Sequence, residues 1–268
     1  MPSVYDRFRD AARRCPALPF LCIPKSPTRD YLTDGTEFSY GQALSIVDDL
    51  AARYADAGYS VGHRVAIVLE NRPEHFWDLF ALNAVGACVV PLNPDYLDHE
   101  FAYAIEFADS ALVIGIGKHL ETLRRVVSTL DPAVALINAE DLPGKFPSPA
   151  QSVNADVVKD LREALIIYTS GTTGRPKGCI ISNHSCFVAG QNYASSGGRL
   201  SLEEERERLY VPLPTFHMNA TIVALNAMIE ARGCLVMPDR FHPSSWWSDL
   251  CDTRATAVHT LESSRRFC

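Results

Sequence analysis

The sequence has no long apolar run, no excess of basic residues and no closely paired cysteines. No stretch approaches the roughly 20 apolar residues that a membrane-spanning helix needs. Charges stand where the apolar region of a secretory leader would begin, so we expect a cytoplasmic protein without a membrane span. Because 25 Lys and Arg face 32 Asp and Glu, a general nucleic-acid-binding surface is not expected. The 8 cysteines form no C-x-x-C pair, which indicates reduced, largely structural thiols.

Short apolar runs alternate along the chain with segments of helical period. The runs are continuous rather than alternating, which suits strands that are covered on both faces of a parallel sheet. They lie at 65–69, 87–92, 111–114, 133–137, 164–168, 209–211, 234–237 and 255–258. Between two of them, Phe101, Ala104 and Ile105 share one helical face, and Pro73 suits a first helical turn. This βαβα rhythm predicts a doubly wound α/β architecture.

The densest group of small and hydroxyl-bearing residues follows the strand expected at 164–168. It consists of Thr169, Ser170, Gly171, Thr172, Thr173 and Gly174, with Lys177 three positions further along. Glycines let the backbone turn so that successive N–H groups point at one place, while the hydroxyl groups add donors and the lysine adds a positive charge. Each charge-assisted hydrogen bond contributes about 1.5–3 kcal/mol. This loop is therefore predicted to bind a polyphosphate.

The same loop differs from the P-loop of kinases and NTPases. That motif requires G-x-x-x-x-G-K-[ST], whereas Gly171 and Gly174 lie three positions apart and Gly178 follows Lys177. No Ser or Thr follows the lysine to hold magnesium. A P-loop NTPase, which would hydrolyse ATP without a carboxylate, is thus disfavoured.

The segment Tyr168–Gly178 resembles the phosphate-loop signature of the acyl-adenylate-forming superfamily, which includes acyl-CoA synthetases. Further segments resemble other landmarks of that family in the expected order: 38–40, 62–67, 83–94 and 212–217. The residues at 212–219 are more similar to acyl-CoA ligases of the carnitine/crotonobetaine type than to luciferases or peptide-synthetase modules.

This resemblance implies a large domain made of two doubly wound, mostly parallel α/β subdomains. Residues 1–163 would form the first subdomain, 164–182 the strand and phosphate-binding loop, and 183–268 a second, incomplete subdomain. The landmarks that receive adenine and ribose, and the C-terminal domain with the catalytic lysine, have no counterpart in the sequence. We therefore expect a truncated form in which no residue is assigned a catalytic role.

In that family the loop orients the β and γ phosphates of ATP together with Mg²⁺. A substrate carboxylate attacks the α phosphorus and pyrophosphate leaves, after which the CoA thiol captures the acyl group. The resemblance thus implies ATP, nucleotide-borne Mg²⁺ and CoA, with a small carboxylate as the acyl substrate and no intrinsic metal site. It places His217 near the acyl pocket and the entry of the thiol, and it places Met218, Asn219 and Thr221 on the pocket wall.

Two functions remain open at this point. The first is an ATP-dependent carboxylate–CoA ligase in a truncated and impaired form. The alternative is a non-catalytic fragment that binds phosphates, or a decoy that binds partner chains. Since the second sheet would be cut short, we also expect self-association through an uncovered strand edge.

Overall fold

A computed structural model of the chain describes residues 2–150, 153, 163–169, 176–197 and 201–259. The chain divides into two compact units, and each contains one β-sheet. The first unit comprises residues 1–5, 47–70 and 74–185. The second comprises residues 6–46, 71–73 and 186–268.

The elements of the described residues are numbered in chain order. The strands are β1 (Pro19–Ile23), β2 (Thr36–Ser39), β3 (Arg64–Ile67), β4 (Cys88–Pro91), β5 (Ser110–Gly115), β6 (Ala135–Asn138), β7 (Glu163–Thr169), β8 (Lys177–Ser182), β9 (Arg208–Tyr210), β10 (Cys234–Val236) and β11 (Ala257–Val258). The α-helices are α1 (Val4–Arg14), α2 (Tyr40–Ala57), α3 (Pro73–Ala84), α4 (Asp98–Phe107), α5 (His119–Val127), α6 (Asn183–Ala194), α7 (Leu225–Ala231) and α8 (Trp246–Asp252). A π-helix, Asn219–Ala224, leads into α7.

The first unit is built on a six-stranded sheet in the order β6-β5-β3-β4-β7-β8. Its strands pair in parallel except for β7 and β8, which are antiparallel. Strands β4 and β5 are buried along their whole length, as expected for continuous apolar runs inside a covered parallel sheet. On α4, Phe101, Ala104 and Ile105 are buried and pack with strand residues in one core cluster. The predicted α/β architecture with a mostly parallel sheet is confirmed.

The second unit contains a five-stranded sheet in the order β11-β9-β10-β1-β2. Here β2 is antiparallel to β1, and the other pairs are parallel. Strands β1 and β2 belong to the range 1–163 that the resemblance assigns to a first subdomain, and β1 pairs with β10, where Leu21 lies beside Leu235. The predicted subdomain boundaries stay predictions.

Three strands, β1, β2 and β8, have no counterpart among the expected apolar runs. The clearest case is β8, whose residues are all exposed or half-buried because it forms the edge of its sheet. An edge strand buries little side-chain surface, so its sequence is free to be mixed. Strand assignment from apolar runs therefore misses this exposed edge strand, and it also misses β1, which is mostly buried and lies inside its sheet.

The sequence predicts reduced cysteines and no membrane-spanning segment. Seven cysteines lie in the described part of the chain; all of them are free thiols and five are buried. In the same part of the chain, no helix combines the length and the apolar character needed to cross a membrane.

Candidate functional site

In the first unit, the candidate phosphate loop joins the two strands of an antiparallel hairpin. Thr169, the last residue of β7, is the direct cross-strand partner of Lys177, the first residue of β8. Both residues are exposed, whereas the five residues of β7 before Thr169 are buried. The strand pairing thus brings together two of the predicted phosphate-binding residues at the mouth of the loop. Ser170, Gly171, Thr172, Thr173 and Gly174 lie outside the described residues.

The base of this hairpin is fixed by contacts with α4. The hydroxyl of Tyr168 donates a hydrogen bond to the carbonyl of Ala104 at 2.8 Å, and the hydroxyl of Tyr103 donates to the carbonyl of Pro176 at 3.3 Å. Burial raises the pKa of Tyr168 above its usual value, so this phenol stays protonated and keeps donating. Both strands are therefore held beside one helix immediately before the loop begins.

A glycine stands at the second cross-strand pair of the hairpin. Gly178 lies opposite Tyr168, and a Cβ atom there would come within 3.0 Å of Ile166 Cγ2 and 3.4 Å of Tyr168 Cζ. The first distance is tighter than most Cβ contacts, so the side chain of Ile166 would have to shift slightly, whereas the second is ordinary van der Waals contact. Gly178 stands where the P-loop motif has Ser or Thr, and it permits close packing of the hairpin.

The far end of β7 is held by an ion pair. Arg64 on β3 donates two hydrogen bonds of 2.8 Å to the carboxylate of Glu163. These bonds are the main reason that the pKa of Arg64 is raised above its usual value. A bidentate pair of this kind restrains orientation as well as distance. The strand that leads to the candidate loop is therefore anchored at both ends.

In the second unit, the predicted pocket residues lie on a turn and a π-helix that follow β9. The turn closes with a hydrogen bond of 3.1 Å from the amide of His217 to the carbonyl of Pro214. The imidazole is largely exposed and its ring centroid lies 4.5 Å from that of Phe216. Partial burial lowers the pKa of His217 below its usual value of 6.5, so the ring is neutral at pH 7.

The three neighbours of His217 differ in exposure. The side chain of Met218 is exposed, Asn219 is half-buried, and Thr221 is fully buried. The hydroxyl of Thr221 donates to the carbonyl of Thr215 at 2.5 Å. Met218 and Asn219 are therefore accessible to a ligand, whereas Thr221 stabilises the turn from within. A π-helix at this point is typical of functional segments, because its extra residue per turn changes the direction of side chains.

A buried asparagine that belongs to none of the sequence motifs holds the same turn. Asn71 is 5% exposed, and its amide nitrogen donates to the carbonyls of Leu213 at 3.0 Å and Pro238 at 3.2 Å. Its amide oxygen accepts a hydrogen bond of 2.9 Å from the amide of Thr215. One side chain thus joins the segments that follow β9 and β10. Nothing in the local sequence signals this role, because its partners are backbone groups that only folding brings together.

The predicted site residues are divided between the two units. Thr169 and Lys177 belong to the first unit, and His217, Met218, Asn219 and Thr221 belong to the second. Within each unit the structure brings its own set together, by strand pairing in one case and by sequence neighbourhood in the other. Their assigned roles in binding stay predictions.

Comparison with known proteins identifies relatives of this chain. The family model described as "AMP-binding enzyme" matches residues 8–263. A probable CoA ligase, CCL9, of Humulus lupulus is 30% identical over 250 residues, which cover 88% of this chain and 47% of the relative. The crotonobetaine/carnitine–CoA ligase of Citrobacter koseri is 28% identical over 237 residues, which cover 84% of this chain and 45% of the relative. The chain spans about half the length of these curated relatives.

Solved structures agree on the fold. The inhibitor-bound N-terminal domain of FACL13 from Mycobacterium tuberculosis superposes with a TM-score of 0.81 at 23% identity, covering 100% of this chain and 65% of that one. The o-succinylbenzoate CoA synthetase of Bacillus subtilis, bound to its acyl-adenylate intermediate, gives a TM-score of 0.77 at 19% identity, covering 99% and 63%. Since the family model covers nearly the whole sequence, the chain belongs to the AMP-binding enzyme family, and its relatives are named CoA ligases.

Proposed function

We propose that this chain carries the ATP-phosphate-binding part of an ATP-dependent carboxylate–CoA ligase. The reaction would form an acyl-adenylate from a small carboxylate and ATP and then a thioester with CoA. The observation that supports the proposal most directly is the hairpin that pairs Thr169 with Lys177. It closes a segment of hydroxyl-bearing residues and glycines between two anchored strands, with a lysine at its mouth.

The chemistry of this hairpin suits the departing pyrophosphate. A carboxylate that attacks the α phosphorus of ATP pushes negative charge onto the β and γ phosphates. Donors that are already oriented stabilise this charge without reorganisation as it develops. In the proposal, Thr169, Ser170, Thr172 and Thr173 donate from their hydroxyl groups, Gly171 and Gly174 permit the turn of the backbone, and Lys177 supplies a positive charge.

Magnesium enters this proposal only together with the nucleotide. Within the described residues, no group of three or more His, Cys, Asp or Glu side chains could hold a metal ion. In the proposal the ion arrives on the phosphates of ATP as part of the substrate. CoA is the second co-substrate.

The acyl group is proposed to lie against the turn at His217. Met218 and Asn219 are accessible beside it, and Thr221 supports the turn through its bond to the carbonyl of Thr215. A neutral imidazole can accept a hydrogen bond without repelling a cationic or an uncharged acyl substrate. His217, Met218, Asn219 and Thr221 would thus define the acyl side of the site.

The test separates ATP binding from turnover. Calorimetric titration of the purified full chain with Mg-ATP measures binding, and exchange of labelled pyrophosphate into ATP, with and without a panel of carboxylates, measures adenylation. Exchange that depends on a carboxylate supports the ligase. Saturable binding of ATP without any exchange supports the alternative, phosphate binding without turnover. A folded chain that binds no ATP contradicts both.

The matched variants are Lys177→Ala and Lys145→Ala. Lys145 is an exposed lysine of the first unit that lies far along the chain from the hairpin. Loss of one charge-assisted hydrogen bond lowers affinity about ten- to hundredfold, so we expect Lys177→Ala to weaken ATP binding by this factor and Lys145→Ala to leave it unchanged. Equal affinities for the two variants would contradict the role assigned to Lys177.

A further inference from the structure

A cavity of about 350 Å³ opens at the amino-terminal end of the second sheet. Its lining includes the first residues of three strands: Pro19 of β1, Arg208 of β9 and Cys234 of β10. The turn at His217 follows the opposite, carboxyl end of β9. This cavity is therefore separate from the proposed acyl side of the second unit.

The cavity is lined by four arginines in a chain whose net charge is −7: Arg206, Arg208, Arg232 and Arg254. The lining also contains the carboxylates of Glu205 and Glu207, and three carboxylates next to it, those of Glu37, Glu203 and Glu204, pair with these arginines. The charge of the cavity is therefore mixed, and an anion would bind through the guanidinium groups that no carboxylate holds firmly.

Two of these arginines are already neutralised by neighbours. Arg208 pairs with Glu37 at 2.7 Å and also donates to the carbonyl of Thr253 at 2.6 Å. Arg232 pairs with Glu205 at 2.9 Å and with Glu204. Both side chains are less than a fifth exposed, so they form a fixed wall.

The carboxylates of the lining are engaged as well. Glu205 is occupied by Arg232. Glu207 accepts hydrogen bonds from the hydroxyl of Thr256 and from the amide of Glu203. These acidic groups are therefore turned toward protein partners, and they offer less repulsion to an incoming anion than free carboxylates would.

The remaining two arginines are free to bind a ligand. Arg206 makes one ion pair, with Glu203 at 3.5 Å, and both side chains are more than two-thirds exposed, so solvent screening leaves this pair weak. Arg254 is exposed, and within the described part of the chain its guanidinium makes no hydrogen bond or ion pair, although its backbone amide donates to the carbonyl of Cys251. Two guanidinium groups can thus move to a bound anion at little cost.

The backbone around this cavity is left-handed at three residues. Among the residues that the structure describes, five other than glycine have φ in the left-handed region, and three of them line this cavity: Glu205 (+66°), Arg232 (+51°) and Arg254 (+53°). Arg232 ends α7 and Arg254 follows α8, and at both helix ends the next amide donates back into the last turn, from Gly233 to the carbonyl of Met228 and from Ala255 to the carbonyl of Leu250. The left-handed conformation at these two arginines is therefore that of a common helix ending.

We propose that this cavity binds a small molecule through a phosphate group held by Arg206 and Arg254. A planar guanidinium matches the oxygens of phosphate with two parallel hydrogen bonds. The volume of about 350 Å³ lies in the range of small-molecule sites, which indicates that the phosphate is part of a larger molecule. The site is independent of the proposed ligase function, because none of its residues belongs to the hairpin or to the turn at His217.

The test uses NMR titration of the full chain with inorganic phosphate, followed through the Nε–Hε signals of the arginines. Sodium chloride at matched ionic strength controls for screening, and citrate serves as a carboxylate probe. We expect saturable shifts of the Arg206 and Arg254 signals with phosphate and none with chloride. Shifts that rise with ionic strength without saturation, or that citrate produces and phosphate does not, would overturn the proposal.

Variants locate the binding in the cavity. We expect Arg254→Gln and Arg206→Gln each to weaken phosphate binding about tenfold, the effect of one charge-assisted hydrogen bond. Arg240→Gln, which changes an exposed arginine outside the lining, should bind as the unchanged chain does. Lys177→Ala should also leave the cavity signals unchanged, which separates this site from the phosphate loop. Unaltered affinity in both cavity variants would refute the assignment, and Arg206→Gln, on a highly exposed side chain, provides this test even if Arg254→Gln fails to fold.

Discussion

Replacement of Asn71 tests whether one side chain holds the turn that carries His217. The change to alanine removes two hydrogen bonds to the carbonyls of Leu213 and Pro238 and one from the amide of Thr215. Thr215 and Leu213 are themselves buried, so water does not replace these partners without opening the structure. At about 1 kcal/mol per lost bond, with a further penalty for the cavity, we expect Asn71→Ala to lower the free energy of unfolding by about 3–5 kcal/mol.

The measurement is urea unfolding of the full chain, followed by circular dichroism and by tryptophan fluorescence. Asn192→Ala is the matched control, because Asn192 is exposed on α6 of the same unit and its replacement by a better helix former should change stability by less than about 0.7 kcal/mol. Asn71→Asp adds a second comparison. Its carboxylate still accepts from Thr215 but repels the two carbonyls, so we expect a large loss at neutral pH and partial recovery in acid.

A loss below about 1 kcal/mol for Asn71→Ala, with an unchanged dependence on urea, would refute the reasoning. That result would mean that the three backbone groups find other partners. It would also mean that Asn71 does not hold the turn at His217.

Two further predictions concern stability. Burial raises the pKa of Asp78 from 3.8 to about 7, even though Tyr54 donates a hydrogen bond to it, so the native chain keeps a proton that the unfolded chain releases. The stability contributed by this group is present below about pH 4 and is lost at about 1.4 kcal/mol per pH unit up to about pH 7. In Asp78→Asn the urea midpoint should therefore vary less with pH between about pH 4 and pH 7, and an unchanged pH dependence would contradict the assignment. On α6, a Cβ at Gly190 would lie 2.6 Å from the Asn226 backbone, so Gly190→Ala should lower the melting temperature despite the higher helix propensity of alanine. Gly144→Ala, which meets no atom within 4 Å, should not lower it, and equal melting temperatures for the two variants would show that the helices separate without cost.

The parts of the fold that follow from the sequence are those in which one property decides the outcome. Strands β4, β5 and β7 are covered on both faces, so their sequences are apolar throughout and predict strands. Pro73 fits the first turn of α3 because its fixed φ and missing N–H suit that position. Strand β8 was not predicted in this way, since it is an exposed edge strand whose three consecutive apolar residues, 179–181, stand between Gly178 and Ser182.

The residues of the candidate site also differ in whether the sequence predicts them. Thr169 and Lys177 could be predicted from the sequence because their chemistry is concentrated in one short segment. Asn71 could not, because its three partners are backbone groups from segments that meet only in the folded chain. The arginines around the cavity of the second sheet were missed for a similar reason, since they come from three separate places in the chain: the start of β9 with the loop before it, and the loops before β10 and β11.

The pairing of β1 with β10 has a consequence for synthesis of the chain on the ribosome. Strands β1 and β2 emerge early and can form their antiparallel pair at once, but the other side of β1 stays open until β10 has been translated. In that interval the nascent chain presents an unpaired, apolar strand edge to its surroundings. Ribosome profiling combined with chaperone capture should therefore find chaperone bound from the emergence of β1 until the exit of β10, and released thereafter.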